Sequence, residues 1–174
     1  MEIWTHKEEL YKGKILSLST GEVVLSDGQT AFREIIQHNG GVAIVPVIND
    51  HIIFVRQFRI AINQDLLELP AGKLEIGEDP LDCAQRELAE EIGYRAGRMV
   101  RSESYFLSPG YSTEMIHIFL AFDLQEFHRD QDADENIEIV KIPVSELEHR
   151  LSIHEFKDAK TVIGLRSLLS YVLY

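Results

Sequence analysis

Apolar positions fall at two spacings along this chain, and the changes between them mark its elements. Short alternating or continuous apolar runs come first. YKGKILSL, EVVLS and QTAFREIIQ, between residues 11 and 37, read as short strands, with Asp27-Gly28 as a hairpin turn between the last two. His38-Asn39-Gly40-Gly41 breaks the pattern. GVAIVPVI and HIIFVRQF follow, joined by a second hairpin signal, Asn49-Asp50, and DLLELPAG reads as a strand running into a glycine loop. RMVRSESYFLS, MIHIFLAFDL and NIEIVKIPV are strand-like as well. Helical patterns occur over residues 80–92, in SELEHRL, and in the tail DAKTVIGLRSLLSYVLY, where Val162, Leu165, Leu169 and Val172 recur at helical spacing and Asp158 is placed to cap. Helices therefore fall where they can cover both faces of a mixed sheet. The expected architecture is an α/β/α sandwich over residues 41–174 with a small antiparallel β appendage over residues 1–40. An appendage of about 40 residues buries little surface alone, so it is expected to pack on, or cross to, a partner subunit.

The helix at 80–92 carries the chemistry. Asp79 is a good N-cap, Pro80 suits the first helical position, and Gly93 supplies a left-handed stop. Leu81, Ala84, Leu88 and Ile92 form the expected core stripe. Glu87 and Glu91 lie one turn apart on its flank, with Glu90 three residues from Glu87. Like charges at this spacing repel, and more so near a core, where screening falls. Arg86 can offset part of that through Glu90 at i+4, but one arginine does not neutralise three glutamates. A hard divalent cation does, and carboxylate and carbonyl oxygens suit Mg²⁺, or Mn²⁺, better than zinc. A bare ExxEE is more often a solvated acidic face. The frame around this one is G-x5-E-x7-R-E-[apolar]-x-E-E-x-G, set by Gly72, Glu78, Arg86, Glu87, Leu88, Glu90, Glu91 and Gly93. A chance match to its seven fixed letters is expected roughly once in 10⁸ positions at ordinary residue frequencies.

Residues 72–94 resemble the Nudix box of the Nudix hydrolases at each fixed position, with Tyr94 standing where a smaller aliphatic is usual. The resemblance implies a loop-helix-loop that binds divalent metal and hydrolyses a diphosphate joined to another group. It implies that Glu87, Glu90 and Glu91 carry metal, that Arg86 and Glu78 are structural partners, and that Gly72 and Gly93 shape the loop. Ala71, in the run Leu67-Glu68-Leu69-Pro70-Ala71-Gly72, can aim its carbonyl at a metal. Pro109 lies sixteen residues after Gly93, inside the string SPGYSTE. That string, Arg33-Glu34-Ile35 and Arg56-Gln57-Phe58-Arg59 are similar to the ADP-ribose pyrophosphatase branch, so the likeness spans roughly residues 11–165.

The function implied is Mg²⁺-dependent hydrolysis of ADP-ribose to AMP and ribose 5-phosphate. Arg33 and Arg59 offer planar forks for phosphate oxygens, with Arg56 on the same strand as Arg59. Pro109 and Gly110 would line the ribose end, and Glu114 would accept from ribose hydroxyls. Trp4 and Tyr11 are candidates for stacking on adenine, with core or interface packing equally open. A catalytic base or further ligand is expected in the acidic loop 130–138. Asp134, Glu135 and Glu138 all qualify; Glu135 is favoured because Glu138 falls on a strand, and Glu90 is the alternative base. The family likeness also extends to homodimers that swap their N-terminal β regions.

Composition narrows the setting. The chain has 174 residues, with 45% hydrophobic and 26% charged, ordinary for a globular protein. No apolar run reaches transmembrane length, and MEIWTHKEEL has no apolar signal core. Cys83 is the single cysteine, so a reducing cytoplasm is expected; its place off the apolar stripe reads as an inert thiol. A net charge of −12 argues against a broad basic surface for nucleic acid, though not against a small polyphosphate bound through metal. The seven histidines show no ligand spacing. Rival readings are the same chemistry on GDP-mannose or ADP-glucose, a non-catalytic module that senses ADP-ribose, and cleansing of oxidised nucleoside triphosphates.

Overall fold

The computed structural model describes residues 1–127 and 137–173. It divides into two compact units, one formed by Met1–Gly40 with Tyr105–Met115, the other by Gly41–Ser104 with Ile116–Tyr174. The smaller unit is an antiparallel three-stranded sheet, β1 (Ile3–Lys12), β2 (Leu16–Val24) and β3 (Thr30–His38), in that spatial order. Two features differ from the sequence reading. Residues 3–10 carry no apolar alternation, yet they belong to β1, all of whose residues are exposed. Backbone pairing with β2, from Ile3↔Val24 to Lys12↔Ser17, makes this strand rather than burial. β2 is also continuous where two strands were expected, because it is paired along both edges. The segment 105–115 joins this unit through β3: the Ile36 N–H donates to the Tyr111 carbonyl (2.7 Å) and the Thr113 N–H to the Ile36 carbonyl (3.0 Å).

The larger unit is built on a seven-stranded mixed sheet. Its strands are β4 (Gly41–Ile48), β5 (His51–Arg59), β6 (Gln64–Glu68), β7 (Ala71–Lys73), β8 (Tyr94–Phe106), β9 (Met115–Glu126) and β10 (Glu138–Pro143). The order is β10-β5-β4-β9-β8, with β6 on β5 and β7 on β4. β4 runs parallel to β9, and β5 antiparallel to β4, β6 and β10. Asn49 and Asp50 turn β4 into β5 with φ of 47° and 59°, the left-handed pair such a two-residue hairpin needs.

Alternation along the central strands splits the core in two. Val42 and Ile44 of β4, Ile53 and Val55 of β5, and Phe119 and Ala121 of β9 pack against the helix α1 (Pro80–Ile92). Val45, Ile52, Phe54 and Leu120, one residue out of phase, pack against α2 (Leu147–Ser152) and α3 (Ala159–Leu173). The result is the expected α/β/α sandwich with a separate β appendage. DLLELPAG is not one strand, since Leu69 and Pro70 separate β6 from β7.

Two helix faces need correction. Leu81 is 44% exposed, whereas Cys83 is fully buried beside Ala84, Leu88 and Ile92. The start of α1 lies against β7, where the Cys83 thiol donates to the Lys73 carbonyl at 3.5 Å, so the buried arc begins at residue 83. In α3, Val172 is 66% exposed and Leu168 takes the core position. The last turn of α3 instead sets Tyr171 beside Phe122, ring centroids 5.6 Å apart.

Candidate active site

Each side chain of the acidic helix is placed by a specific local bond. The Asp79 carboxylate accepts from the Leu81 N–H at 2.8 Å, and Gly93, at φ 71°, ends the helix with its N–H on the Ala89 carbonyl. Between these caps, Arg86 organises the acids. Its Nε and Nη2 donate to Glu78 at 2.9 and 3.1 Å, and Nη2 also reaches the Lys73 carbonyl at 3.2 Å. Its Nη1 donates to Glu87 Oε1 at 2.7 Å and to Glu90 Oε2 at 2.9 Å. The Arg86 fork holds the Glu78 carboxyl down to about 2, and hydrogen bonding to Glu78 raises Arg86 above its usual range. Burial pushes the Cys83 thiol up to about 12, which fits an inert core thiol rather than a nucleophile.

Gly72 matters because of Glu87. A Cβ at residue 72 would lie 1.8 Å from the Glu87 Cδ, so only glycine leaves room for that carboxylate. Glu91 is buried, and its Oε2 accepts from the Ala71 N–H at 3.0 Å. Among the described residues, no three His, Cys, Asp or Glu side chains form a ready-made metal cage. The donor set nevertheless suits a hard cation. Glu87 and Glu90 oxygens already converge on one cationic nitrogen, the Glu87 carboxylate fills the gap left by the missing Cβ of Gly72, and all the candidate donors are oxygen.

The arginines expected at the substrate are all engaged. Arg59 forms a two-point contact with Glu68, Nε–Oε1 2.6 Å and Nη2–Oε2 3.0 Å. Glu68 is buried and also meets Lys160, whose ammonium lies 3.0 Å from Asp158. Burial alone would raise the Glu68 carboxyl, but the bonds from Arg59 and Lys160 outweigh it and the net shift is downward. Arg56 is more exposed and sits 3.6 Å from Glu138. Glu68, Lys160 and Thr161 escaped the sequence reading; the available signal was Glu68 set between Leu67 and Leu69, with no local cation to answer it.

In the smaller unit, Arg33 donates from Nε and Nη2 to Glu2 at 2.9 and 2.7 Å. Arg33, Pro109, Gly110 and Trp4 line one cavity of about 690 Å³, together with Glu2 and Lys7, which sequence reasoning did not single out. Glu114 lies outside that lining and faces the His38 ring at 3.9 Å. Tyr11 is exposed on β1, also away from the cavity. Asp134 and Glu135 lie outside the described residues.

A mixed sheet between helices, carrying an arginine-braced acidic helix at the edge of a glycine loop, defines a Nudix-type hydrolase. The NUDIX domain family model matches residues 37–163, and the chain belongs to that family. It is similar to an ADP-ribose pyrophosphatase of Bacillus subtilis (strain 168), 38% identical over 165 residues, 93% of this chain and 89% of the relative. It is similar also to a methanol dehydrogenase activator of Bacillus methanolicus, 37% identical over 164 residues, 92% and 89% of the two chains. Among solved structures, one titled as an ADP compounds hydrolase shares the fold, with a TM-score of 0.89 at 23% identity, over 98% of this chain and 94% of that one.

Proposed function

We propose that the protein hydrolyses the diphosphate of ADP-ribose to AMP and ribose 5-phosphate, with Mg²⁺ and, in its place, Mn²⁺. The observation that carries this reading is the convergence of Glu87 and Glu90 on one cationic centre beside Gly72, with Glu91 tied to Ala71. Likeness over nearly the whole chain to an ADP-ribose pyrophosphatase supports the substrate.

Hydrolysis adds water across one P–O bond, so the chain must hold two phosphoryl groups, place a water and accept its proton. Glu87, Glu90, Glu91 and the Ala71 carbonyl would hold the divalent ion, which when bound would offset the diphosphate charge and lower the pKa of a nearby water. Arg86 and Glu78 brace the helix. Glu90, or Glu135 from the acidic loop, takes the proton. Arg33 and Arg59 supply phosphate forks, Arg56 adds positive field, and Pro109, Gly110 and Trp4 form a wall for the nucleoside or terminal ribose, with Glu114 accepting from hydroxyls. To do so Arg33 must exchange Glu2 for the substrate, and Arg59 must reach it through Nη1, since its Nε and Nη2 are held by Glu68. We further propose a cytoplasmic homodimer joined, or swapped, through the N-terminal β region.

Product analysis after incubation with ADP-ribose and Mg²⁺ tests the reading: AMP and ribose 5-phosphate are expected. Faster turnover of GDP-mannose or ADP-glucose in the same panel would replace the substrate, and tight calorimetric binding without product would replace hydrolysis by sensing. Glu91→Gln keeps the shape of the buried side chain and removes its charge. It is expected to abolish Mg²⁺-dependent turnover with the fold intact, and near-normal activity would overturn the site.

A further inference from the structure

Four consecutive residues lead the chain into the glycine loop, and each is tied down separately. The Glu68 carboxylate is held by Arg59 and Lys160. The Leu69 N–H donates to Thr161 Oγ1 at 2.9 Å. The Pro70 carbonyl accepts from the Ile44 N–H at 2.8 Å. The Ala71 N–H donates to Glu91 at 3.0 Å. Two of these ties come from the first turn of α3, 92 residues away in sequence.

Thr161 is fully buried, and its hydroxyl has two partners. It accepts from Leu69 and donates to Asp158 Oδ2 at 2.6 Å. Asp158 also accepts from the Thr161 N–H at 2.9 Å, which by itself caps α3. A helix cap needs no more than that, so the reach of the hydroxyl to residue 69 serves something else. Lys160 closes the ring, meeting Asp158 on one side and Glu68 on the other.

We propose that Thr161 is a positioning residue for the divalent-cation site. Through Leu69 it fixes the register of residues 69–71. That register sets where the Ala71 carbonyl points and, through the Ala71 N–H, where the buried Glu91 carboxylate sits. The inference rests on the reading of Ala71 and Glu91 as holders of the ion. Groups that orient ligands from behind typically change metal affinity 10–100-fold when removed.

The test is Mn²⁺ titration of the whole protein without substrate, followed by electron paramagnetic resonance. Thr161→Val keeps the shape but removes both bonds of the hydroxyl, and Mn²⁺ dissociation constants about tenfold weaker are expected. Thr161→Ser restores the hydroxyl and should return affinity to within about twofold of the parent. Leu168→Ala loosens α3 without touching the polar ring; it should lower the melting temperature and leave Mn²⁺ affinity unchanged. Parent-like affinity in Thr161→Val, or equal weakening in Leu168→Ala, overturns the proposal. If the valine variant does not fold, Thr161→Cys, with similar volume and a poor acceptor, is read against the same outcomes. A parent that binds no Mn²⁺ would instead remove the metal site itself, so the two failures are distinguishable.

Discussion

A single guanidinium, that of Arg86, meets three carboxylates, and the balance at the site depends on it. Glu78 has its folded pKa lowered from 4.5 to about 2, so its contribution to stability is complete above about 4.5 and is lost as pH falls from there towards 2. Chemical denaturation in chelator at stepped pH should show that loss, and Glu78→Gln should flatten it. Gly72 acts at the same scale through space rather than charge. Because a Cβ there collides with the far end of a flexible glutamate, Gly72→Ala should displace Glu87 without unfolding the protein. Turnover is expected to drop by about 10²-fold or more, since misplacement on the order of 1 Å costs that much. A melting temperature near the parent's would accompany it, and full activity would show that Glu87 does not need its present place.

At the scale of elements, α1 tests the corrected core face. Leu88 is fully buried and Leu81 is not, although both belong to the stripe that sequence spacing predicts. Leu88→Ala should cost about 2–5 kcal/mol and Leu81→Ala under about 1 kcal/mol, read from denaturant midpoints. Equal losses would restore the original face. The caps, turns and box frame were legible because their causes are local: Asp79, Gly93 and Asn49-Asp50 act within a few residues of themselves. β1 was not legible, since a strand exposed at every residue leaves no alternation to read. Nor were the partners of Arg59 and Glu68. Arg59 fits a phosphate fork by residue type, and only the folded chain brings Lys160 and Thr161 to β6. Segment 105–115 could be seen as a turn, but its bonding to β3 is a long-range fact.

For the whole molecule, the proposed dimer is argued from β1, the edge of the three-stranded sheet. Ile3, Leu10 and Tyr11 are exposed on that strand, and unpaired edges with apolar side chains invite a partner. Light scattering should report twice the chain mass, and Leu10→Glu should shift it towards one chain; a parent of single mass would end the dimer proposal. The arginine brace has a wider consequence for how such a protein lives. Arg86 already draws Glu78, Glu87 and Glu90 together, so the chain is expected to reach its native shape in chelator. An arriving cation would then have to compete with a guanidinium for two of those acids, which makes the arginine a rival as well as a brace.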